Sequence, residues 1–405
     1  MPLDNDDLLR EILLLLPPRP SSLLRASVVC KRWHRLVSDP GFLGRFRAHH
    51  GKPPVLGFFC ANAYTGYYFS PTLDPPDRIP AAQFSLPQRH GESLDFAECR
   101  HGLVLFLNKE LPEAVAWNPI SGRQRRVSVP PQFDNTGKRG IIYVAVLCAA
   151  GDDEHGHVHG DCDLDYFKLA LVHMGVEDHR HSGVWGNIIS TPTTGGLGFP
   201  VRPSVLVGNA LCWLLYGETE GDILKFDFTM QKLVVIEKPL DCEIAYRGRP
   251  RLRIVRTEES GLGLIGYTGL SLQLWERKVN YDDVATWVLQ KTIDLLEHLL
   301  PVELKWSWIH GYDEDDNVIF LCALNGSLMV QLDSIQFGNC FRTNLDGTTP
   351  PERKDINTTY IPYKSFYAAG NSRFLHCKSN KSNYRLLCVC CNAIAVLKGC
   401  LTIHA

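Results

Sequence analysis

The 405-residue sequence lacks a long apolar run, an excess of charge of either sign and a regular spacing of its cysteines. Its longest apolar stretch, residues 141–150, is well short of the ~20 residues that a membrane-spanning helix needs, so we expect no membrane segment. Lys and Arg number 42 and Asp and Glu number 44, which gives a net charge of −2. This balance argues against a general nucleic-acid-binding surface, which would be strongly basic.

The 14 cysteines do not have the spacing of a small secreted scaffold that is held together by disulfides. The N-terminus is acidic, whereas a secretory signal has a basic stretch ahead of an apolar one. We therefore expect an intracellular protein with reduced thiols, located in the cytoplasm, the nucleus or both.

Signature motifs of common enzymes are absent as well. The sequence has no Gly-x-Ser-x-Gly elbow, no His-Glu-x-x-His helix and no Gly-Lys-Ser/Thr phosphate loop. Residues 261–266 match the letters of a dinucleotide-binding fingerprint, but that function needs a helix to begin there. Because residues 267–275 have the pattern of a turn and a strand, we expect no cofactor. Since the enzyme motifs are absent, we also expect no catalytic residue.

Two groups of possible metal ligands remain. The first is a stretch in which alternate histidines precede acidic residues and a cysteine: His155, His157, His159, Asp161, Cys162, Asp163 and Asp165. Its glycines favour an exposed loop that binds zinc or nickel only adventitiously. The second is the pair Cys388 and Cys391, which lacks the second closely spaced pair of a zinc site. We therefore predict no metal site. Separately, the run of acidic residues 313–316 predicts a solvated turn.

Residues 3–51 have the periodicity of short helices and more apolar surface than so small a unit can bury. The first segment places its apolar residues on one helical face and beyond it: Leu8, Leu9, Ile12, Leu13, Leu14, Leu15 and Leu16. Pro17 and Pro18 end that helix. A second helix is predicted from about Ser21 and a third over residues 28–37, followed by a helical turn or two near Phe42. Because about fifty residues are marginal as a free-standing domain, the leftover leucines are expected to meet helices of another protein.

After Lys52, helical periodicity gives way to short runs rich in Val, Leu, Ile, Tyr and Trp, separated by Gly, Pro, Asp and Asn. Such runs are typical of an all-β sandwich, barrel or propeller. About 17 to 22 strands favour the propeller, with roughly five to seven blades at four strands per blade. Propellers often close by pairing the two chain ends in one blade, and residues 360–367 are the candidate closing strand.

The composition changes again from Asn371. Five of the 14 cysteines lie in the last 35 residues, and this segment continues no blade pattern. We expect residues 371–405 to be an atypical, cysteine-rich and disordered tail.

Two resemblances to known families rest on these residues. DLLREILLLLPP at residues 7–18 and the segment 22–43, with VCKRW as its most specific part, resemble the F-box. That module usually starts with Leu-Pro, where this chain has Asp4-Asn5. CRHGLVL at residues 99–105 and the Trp117-Asn118-Pro119 motif, together with residues 203–213 and 272–277, resemble the F-box-associated, kelch-like repeats of plant F-box proteins, particularly the grass subset.

These resemblances imply a mainly β fold with a small all-α module: a three-helix F-box at 3–51 and a kelch-like β-propeller of five to seven blades at 54–370. They imply a substrate-recognition adaptor of an SCF-type (Skp-cullin-F-box) ubiquitin ligase. The F-box would dock on a Skp-type adaptor, and through it on the cullin-RING ligase, while propeller loops hold a target for ubiquitination and proteasomal degradation. The adaptor-binding residues that the resemblance implies are Leu8, Leu9, Ile12, Leu13, Leu16, Pro17, Leu23, Leu24, Val28, Val29, Trp33 and Leu36.

Two other interpretations stay open at this point. The chain could be a propeller enzyme or a carbohydrate-binding module whose helices form a purely structural cap, or an F-box protein that binds the adaptor without recruiting a target. An enzyme should bring ionisable side chains together at a propeller mouth. An adaptor should expose leucines on its helices and have a mouth of apolar and hydrogen-bonding groups.

Overall fold

A computed structural model describes the helical module, most of the β-strands and their shorter connections. The described residues are 5–62, 66–129, 141–149, 158–160, 162, 164–165, 167–174, 187–188, 203–215, 221–240, 245–246, 249–250, 252–258, 261–282, 284–297, 308–323, 326–341, 358–367, 385–389 and 394–396.

The N-terminal module has four described helices, one more than the sequence predicts. They are α1 (Asp6–Leu14), α2 (Pro20–Ser27), α3 (Lys31–Val37) and α4 (Pro40–His50). The fourth helix extends well beyond the predicted turn or two because its start is well capped. The Asp39 carboxylate accepts a hydrogen bond from the Phe42 backbone N–H at 2.8 Å, and Pro40 occupies the first turn, where its missing N–H is not needed.

The helices enclose a small apolar core of their own. Leu9 and Leu13 of α1 are 0% and 1% exposed and pack in one cluster with Phe42 and Phe46 of α4. Each large apolar side chain buried in this way stabilises the fold by roughly 1.5–3 kcal/mol. Phe366, which follows the strand Thr358–Lys364 of the β-domain, lies in the same cluster, so the helical module is packed against the β-domain.

The β-domain consists of six successive sheets and a two-stranded hairpin within the described residues. Four of the sheets are antiparallel and four-stranded. The second sheet consists of β3 (Leu94–Arg100), β4 (Leu103–Asn108), β5 (Glu113–Trp117) and β6 (Gln124–Ser128), and the fourth of β10 (Val205–Val207), β11 (Ala210–Leu214), β12 (Ile223–Asp227) and β13 (Lys232–Ile236). The fifth consists of β16 (Leu252–Arg256), β17 (Leu262–Tyr267), β18 (Ser271–Val279) and β19 (Ala285–Asp294). The sixth consists of β20 (Trp308–Asp313), β21 (Val318–Ala323), β22 (Gly326–Gln331) and β23 (Gln336–Phe341). The hairpin is β14 (Ala245–Tyr246) with β15 (Arg249–Pro250).

The first sheet joins the two ends of the β-domain. Its order is β2 (Gly66–Pro71), β1 (Val55–Asn62), β24 (Thr358–Lys364). β24 runs antiparallel to β1, with Ile361 opposite Phe59. The sequence prediction that a strand near residues 360–367 closes the ring is confirmed, with slightly earlier bounds.

The remaining sheet, third in chain order, takes strands from the C-terminal segment. Its order is β7 (Ile141–Cys148), β8 (Phe167–Met174), β25 (Arg385–Val389), β26 (Ile394–Val396), β9 (Asn187–Ile188). β25 pairs in parallel with β8, and β26 pairs with β9. The prediction of a disordered tail does not hold for these two strands. Their sequences, RLLCV and IAV, are short apolar runs that can extend an open sheet edge.

Neighbouring sheets share buried apolar clusters all the way round. The first and second sheets pack around Phe59 and Phe106, and similar clusters join each following pair. The ring closes between the sixth and first sheets, where the rings of Phe58 and Phe320 lie 4.9 Å apart edge to face. The fold is a β-propeller that lies within the predicted range of five to seven blades.

Strands at one end of each sheet surround the propeller axis. β20 contacts both β16 and β24, β24 contacts β3, and β3 contacts β7. Side chains near the ends of these strands therefore converge from several blades on one axial space.

We predict that Gly311→Ala lowers the free energy of unfolding by about 1–3 kcal/mol. Gly311 lies in β20, and a Cβ atom at this position would overlap the Tyr360 carbonyl oxygen of β24 at the ring closure. Denaturant unfolding measures the change. Gly44→Ala in α4 is the control, since its Cβ would meet nothing within 4 Å and alanine favours a helix. Equal stability of Gly311→Ala and the unchanged chain would show that the closure tolerates displacement.

Candidate functional site

The helical module exposes an apolar face beside its buried core. Leu8, Ile12 and Leu15 follow the helical spacing i, i+4, i+7, and Leu15 is 71% exposed. At the end of α2, Val28 and Val29 are 82% and 60% exposed. Large apolar side chains clustered on so short a segment are typical of a surface that another protein covers.

The twelve residues implied for adaptor binding divide into a surface set and a supporting set. The exposed residues are Leu8, Ile12, Pro17, Val28 and Val29, and the half-buried ones are Leu16, Leu24 and Trp33. The other four, Leu9, Leu13, Leu23 and Leu36, lie in the core of the module, so they shape the face without forming its surface. The sequence-based list omitted Leu15. Its position one turn after Ile12 was the signal available.

Ion pairs tie α1 to the helices behind it. Arg32 Nε lies 2.6 Å from Asp6 Oδ1, and Arg45 Nη2 lies 2.5 Å from Glu11 Oε1. Exposed pairs of this kind contribute little energy each, commonly below 1 kcal/mol. Their geometry places the polar side of α1 toward α3 and α4, which is compatible with the outward position of Leu8 and Ile12.

A cavity of ≈ 310 Å³ lies at the propeller axis beside the linker to the helices. Its walls come from the linker, from several blades and from the closing strand, and include Lys52, Arg100, Arg253, Asp313 and Tyr360. Sequence reasoning did not find this cavity because its residues are scattered over most of the chain.

A buried network of charges crosses one side of the cavity. Arg100 Nε donates to Glu314 Oε1 at 2.6 Å, and its Nη1 lies 3.0 Å from Glu98 Oε1. Glu98 also accepts hydrogen bonds from the Ser204 hydroxyl at 2.8 Å and from the Val146 backbone N–H at 3.1 Å. Burial raises the pKa of Glu98 to about 7, against the opposing effect of the Arg100 charge. The network connects four blades.

A second network corrects the prediction of a solvated acidic turn. Lys364 Nζ in the closing strand lies 2.8 Å from Asp313 and 2.6 Å from Asp316, and Lys52 Nζ lies 3.0 Å from Asp316. Asp313 is buried, and burial raises its pKa to about 6 although Lys364 stabilises the carboxylate. The acidic residues 313–316 thus form ion pairs with lysines from the linker and the closing strand. No local sequence pattern reveals this pairing.

Arg253 is a third buried cation at the cavity. Its Nη2 donates to the His310 backbone carbonyl at 3.0 Å. Burial lowers the pKa of Arg253 to about 10 and that of His310 to about 3, so His310 is neutral at physiological pH. The imidazole of His310 in turn contacts the Thr358 carbonyl of the closing strand.

The cavity thus has the ionisable groups expected of an enzyme mouth, while the helices have the exposed leucines expected of an adaptor. The Arg100–Glu314 and Lys364–Asp313 pairs each join two blades, and the Arg100–Glu98 pair lies within β3. Such pairing gives them a structural role in holding the blades together.

The glycine-rich segment and some of the candidate metal ligands lie in the described part of the chain. Residues 262–267 form β17, which pairs with β16 and β18, so no helix begins at the glycine-rich fingerprint. His159 and Cys162 lie close to His101. His155, His157, Asp161, Asp163 and Cys391 lie outside the described residues. Among the described helices, none has the length and apolar character needed to cross a membrane.

We predict that Glu98→Gln makes stability less dependent on pH. Because the pKa of Glu98 is raised to about 7 in the folded chain, the folded state keeps a proton that the unfolded state releases above its ordinary pKa near 4.5. The contribution of Glu98 to stability therefore falls as pH rises from about 4.5 to 7. Urea unfolding at about pH 5 and pH 7 should show a decline that is smaller in Glu98→Gln, by on the order of 1–3 kcal/mol. Glu237→Gln, at an exposed position, should behave like the unchanged chain; the same behaviour in Glu98→Gln would contradict the assignment.

Comparison with known proteins covers both parts of the chain. Residues 5–44 match the F-box domain, and residues 95–330, more than half of the chain, match the family described as "F-box protein AT5G49610-like, beta-propeller". F-box protein At5g07610 of Arabidopsis thaliana is 23% identical over 314 residues, which cover 72% of this chain and 70% of that protein. F-box/kelch-repeat protein At3g61590 of the same organism is 31% identical over 134 residues, covering 32% of this chain and 31% of that protein.

Among solved structures, apo AztD from Citrobacter koseri is similar over 76% of this chain and 89% of that chain, with 11% identity and a TM-score of 0.27. A score this low carries no argument. The family match, in contrast, runs from β3 to β22, and the F-box match runs from α1 into α4. The chain therefore belongs to the family of F-box proteins with an AT5G49610-like β-propeller.

Proposed function

We propose that this chain is the target-recruiting subunit of an SCF-type ubiquitin ligase. The exposed face of α1 and the end of α2 bind a Skp-type adaptor, and loops of the propeller bind a target protein for ubiquitination and proteasomal degradation. An F-box domain implies binding to a Skp-type adaptor, and F-box relatives with a propeller support the recruiting role. The protein performs no chemistry of its own in this account.

The observation that carries the proposal is the outward row of Leu8, Ile12 and Leu15. Leu8 and Ile12 lie on the same helix as Leu9 and Leu13, which are buried, and Leu15 is the C-cap residue of that helix. This segment is therefore apolar on two sides, and only one side is covered. Covering a large apolar side chain is worth roughly 1.5–3 kcal/mol. A few residues near the centre of an interface commonly supply most of its binding energy.

The seat of the helices on the propeller supports the second half of the proposal. The Ser21 backbone N–H donates to Asp77 Oδ1 at 2.9 Å, and Lys52 Nζ donates to the Asp315 carbonyl at 3.1 Å. The Ser365 N–H bonds to the Pro54 carbonyl at 3.4 Å, and Phe366 enters the helical core. A target held by the propeller would therefore stay at a restricted distance from the adaptor, which raises its effective concentration near the ubiquitin carrier.

We predict that the full chain carrying Ile12→Glu and Leu15→Glu loses binding to a Skp-type adaptor. Both side chains are exposed, so the free protein should keep its circular dichroism and its melting temperature. In the complex, two carboxylates would be buried without partners at a cost of several kcal/mol, which lowers affinity at least ~100-fold. Leu13 is unsuitable for this test because a charge there would disrupt the core of the module.

The matched control is Met230→Glu with Leu240→Glu, which places the same two charges at propeller positions that are 72% and 99% exposed. This variant should bind the adaptor like the unchanged chain. Undiminished binding by the Ile12→Glu and Leu15→Glu variant would place the interface elsewhere and refute the docking face.

The variant with Ile12→Glu and Leu15→Glu also allows the target protein to be isolated. We predict that affinity purification of the full chain recovers a propeller-bound protein in greater amount when the proteasome is inhibited. The Ile12→Glu and Leu15→Glu variant should recover the same protein without inhibition, since it can bind the target but cannot bring it to the ligase. If adaptor binding is intact and neither condition enriches any protein, the chain binds the ligase without recruiting a target.

A further inference from the structure

Three side chains of metal-binding type meet at the rim of the axial cavity. The imidazole nitrogens of His101 and His159 and the sulfur of Cys162 all lie within 4.8 Å of one another. Cys162 Sγ is 3.6 Å from His159 Nδ1, and the two imidazole rings stack with centroids 3.7 Å apart. His159 and Cys162 are close in sequence, but His101 comes from the turn after β3. The fold therefore supplies a ligand that the sequence did not associate with the other two.

We propose that His101, His159 and Cys162 form a zinc-binding site whose fourth coordination position opens to the axial cavity. Two imidazole nitrogens and one thiolate are ligands that zinc prefers, with bonds of about 2.0–2.3 Å. Donor atoms in a tetrahedral site of this kind are roughly 3.5 Å apart. The separation between Cys162 and His159 already has this value. The remaining separations are at most 4.8 Å. The two imidazole rings stack in nearly parallel planes, so one half-buried histidine side chain must rotate for both nitrogen lone pairs to meet one ion, and this rotation also shortens the distances.

The cluster is built on firmly held backbone. His101 has a φ of 55°, in the left-handed region that residues other than glycine rarely occupy. The next residue, Gly102, accepts a hydrogen bond from the Tyr363 hydroxyl at 3.2 Å, and Gly160 accepts one from the Ser365 hydroxyl at 2.5 Å. Both bonds come from the end of the closing strand, so the two histidine-bearing segments are anchored to the same element.

Burial distinguishes this cysteine from an incidental surface thiol. Cys162 is 1% exposed, whereas His101 and His159 are half-buried and line the cavity. A bound divalent ion would displace the thiol proton and would supply the cation that a buried thiolate needs. Zinc would thus be reached from the cavity side, with sulfur behind it and water or a ligand in front. Three protein ligands and one open position are the arrangement of a zinc site that can accept a further ligand.

The position of the site gives the ion a structural consequence. Gly160 lies directly against the ring of Pro53 in the linker, and Val158 packs on the core of the helical module. A bound ion would tie the turn after β3 to this segment and so restrain the seat of the helices. Metal binding itself does not depend on the proposed ligase function and is tested separately from it.

The test uses the full chain, purified with a reductant, stripped of metal with a chelator and titrated with Co²⁺ and then Zn²⁺. We expect one Co²⁺ per chain with the sulfur-to-metal charge-transfer absorption of a thiolate ligand, displaced by Zn²⁺, and a melting temperature that rises by a few degrees with Zn²⁺. Cys162→Ser should lose the charge-transfer band. His101→Asn, at a half-buried turn position, should keep the band but weaken binding at least about tenfold.

Three controls separate this site from the other thiols and histidines. Cys60→Ser changes a buried cysteine in another blade, His90→Asn changes an exposed histidine, and the double variant Cys388→Ser with Cys391→Ser removes the C-terminal pair. All three should bind Co²⁺ like the unchanged chain, and circular dichroism checks that each variant is folded. The proposal is overturned if the unchanged chain takes up no stoichiometric Co²⁺, if the band persists in Cys162→Ser, if His101→Asn binds normally, or if the band disappears with the C-terminal pair.

Discussion

The pairing of β1 with β24 is the interaction on which the rest of this structure depends. It brings the first strand of the propeller and the closing strand β24 into one sheet, and it gives β20 of the sixth blade a neighbour across the gap. The same closing strand carries Lys364, which neutralises the buried Asp313, and it leads into Ser365 and Phe366, which anchor the linker and enter the helical core. Closing the ring and seating the helices are therefore one structural event.

The helical module exposes apolar side chains, whereas the propeller buries charged ones. In α1, burial of Leu9 and Leu13 leaves Leu8 and Ile12 on the surface, so a single helix both builds the core of the module and exposes an apolar face. Around the propeller axis, charges are buried and paired between blades, as with Arg100 and Glu314. An arrangement of blades that separated the two members of such a pair would leave a buried charge without compensation. These pairs therefore favour the observed arrangement of blades.

Much of the fold could be predicted from local pattern. Proline pairs, an apolar helical face and short β runs indicated a helical module followed by a propeller, and the position of the closing strand followed from how rings close. The sequence could not say which leucines of α1 face inward, because Leu8 and Leu9 are adjacent and the choice depends on the packing of α4. It also missed the surroundings of Asp313 and His101, because Lys364 and Cys162, which lie close to them, are distant in sequence.

The central claim is that the exposed face of the helices, and not the propeller, binds the Skp-type adaptor. Hydrogen–deuterium exchange of the full chain with and without a saturating Skp-type adaptor tests this claim most directly, since it reports protection along the whole backbone. We expect added protection in α1 and α2, with the strands of the second to sixth blades unchanged. Protection confined to propeller strands or loops, with α1 and α2 exchanging as in the free chain, would contradict it.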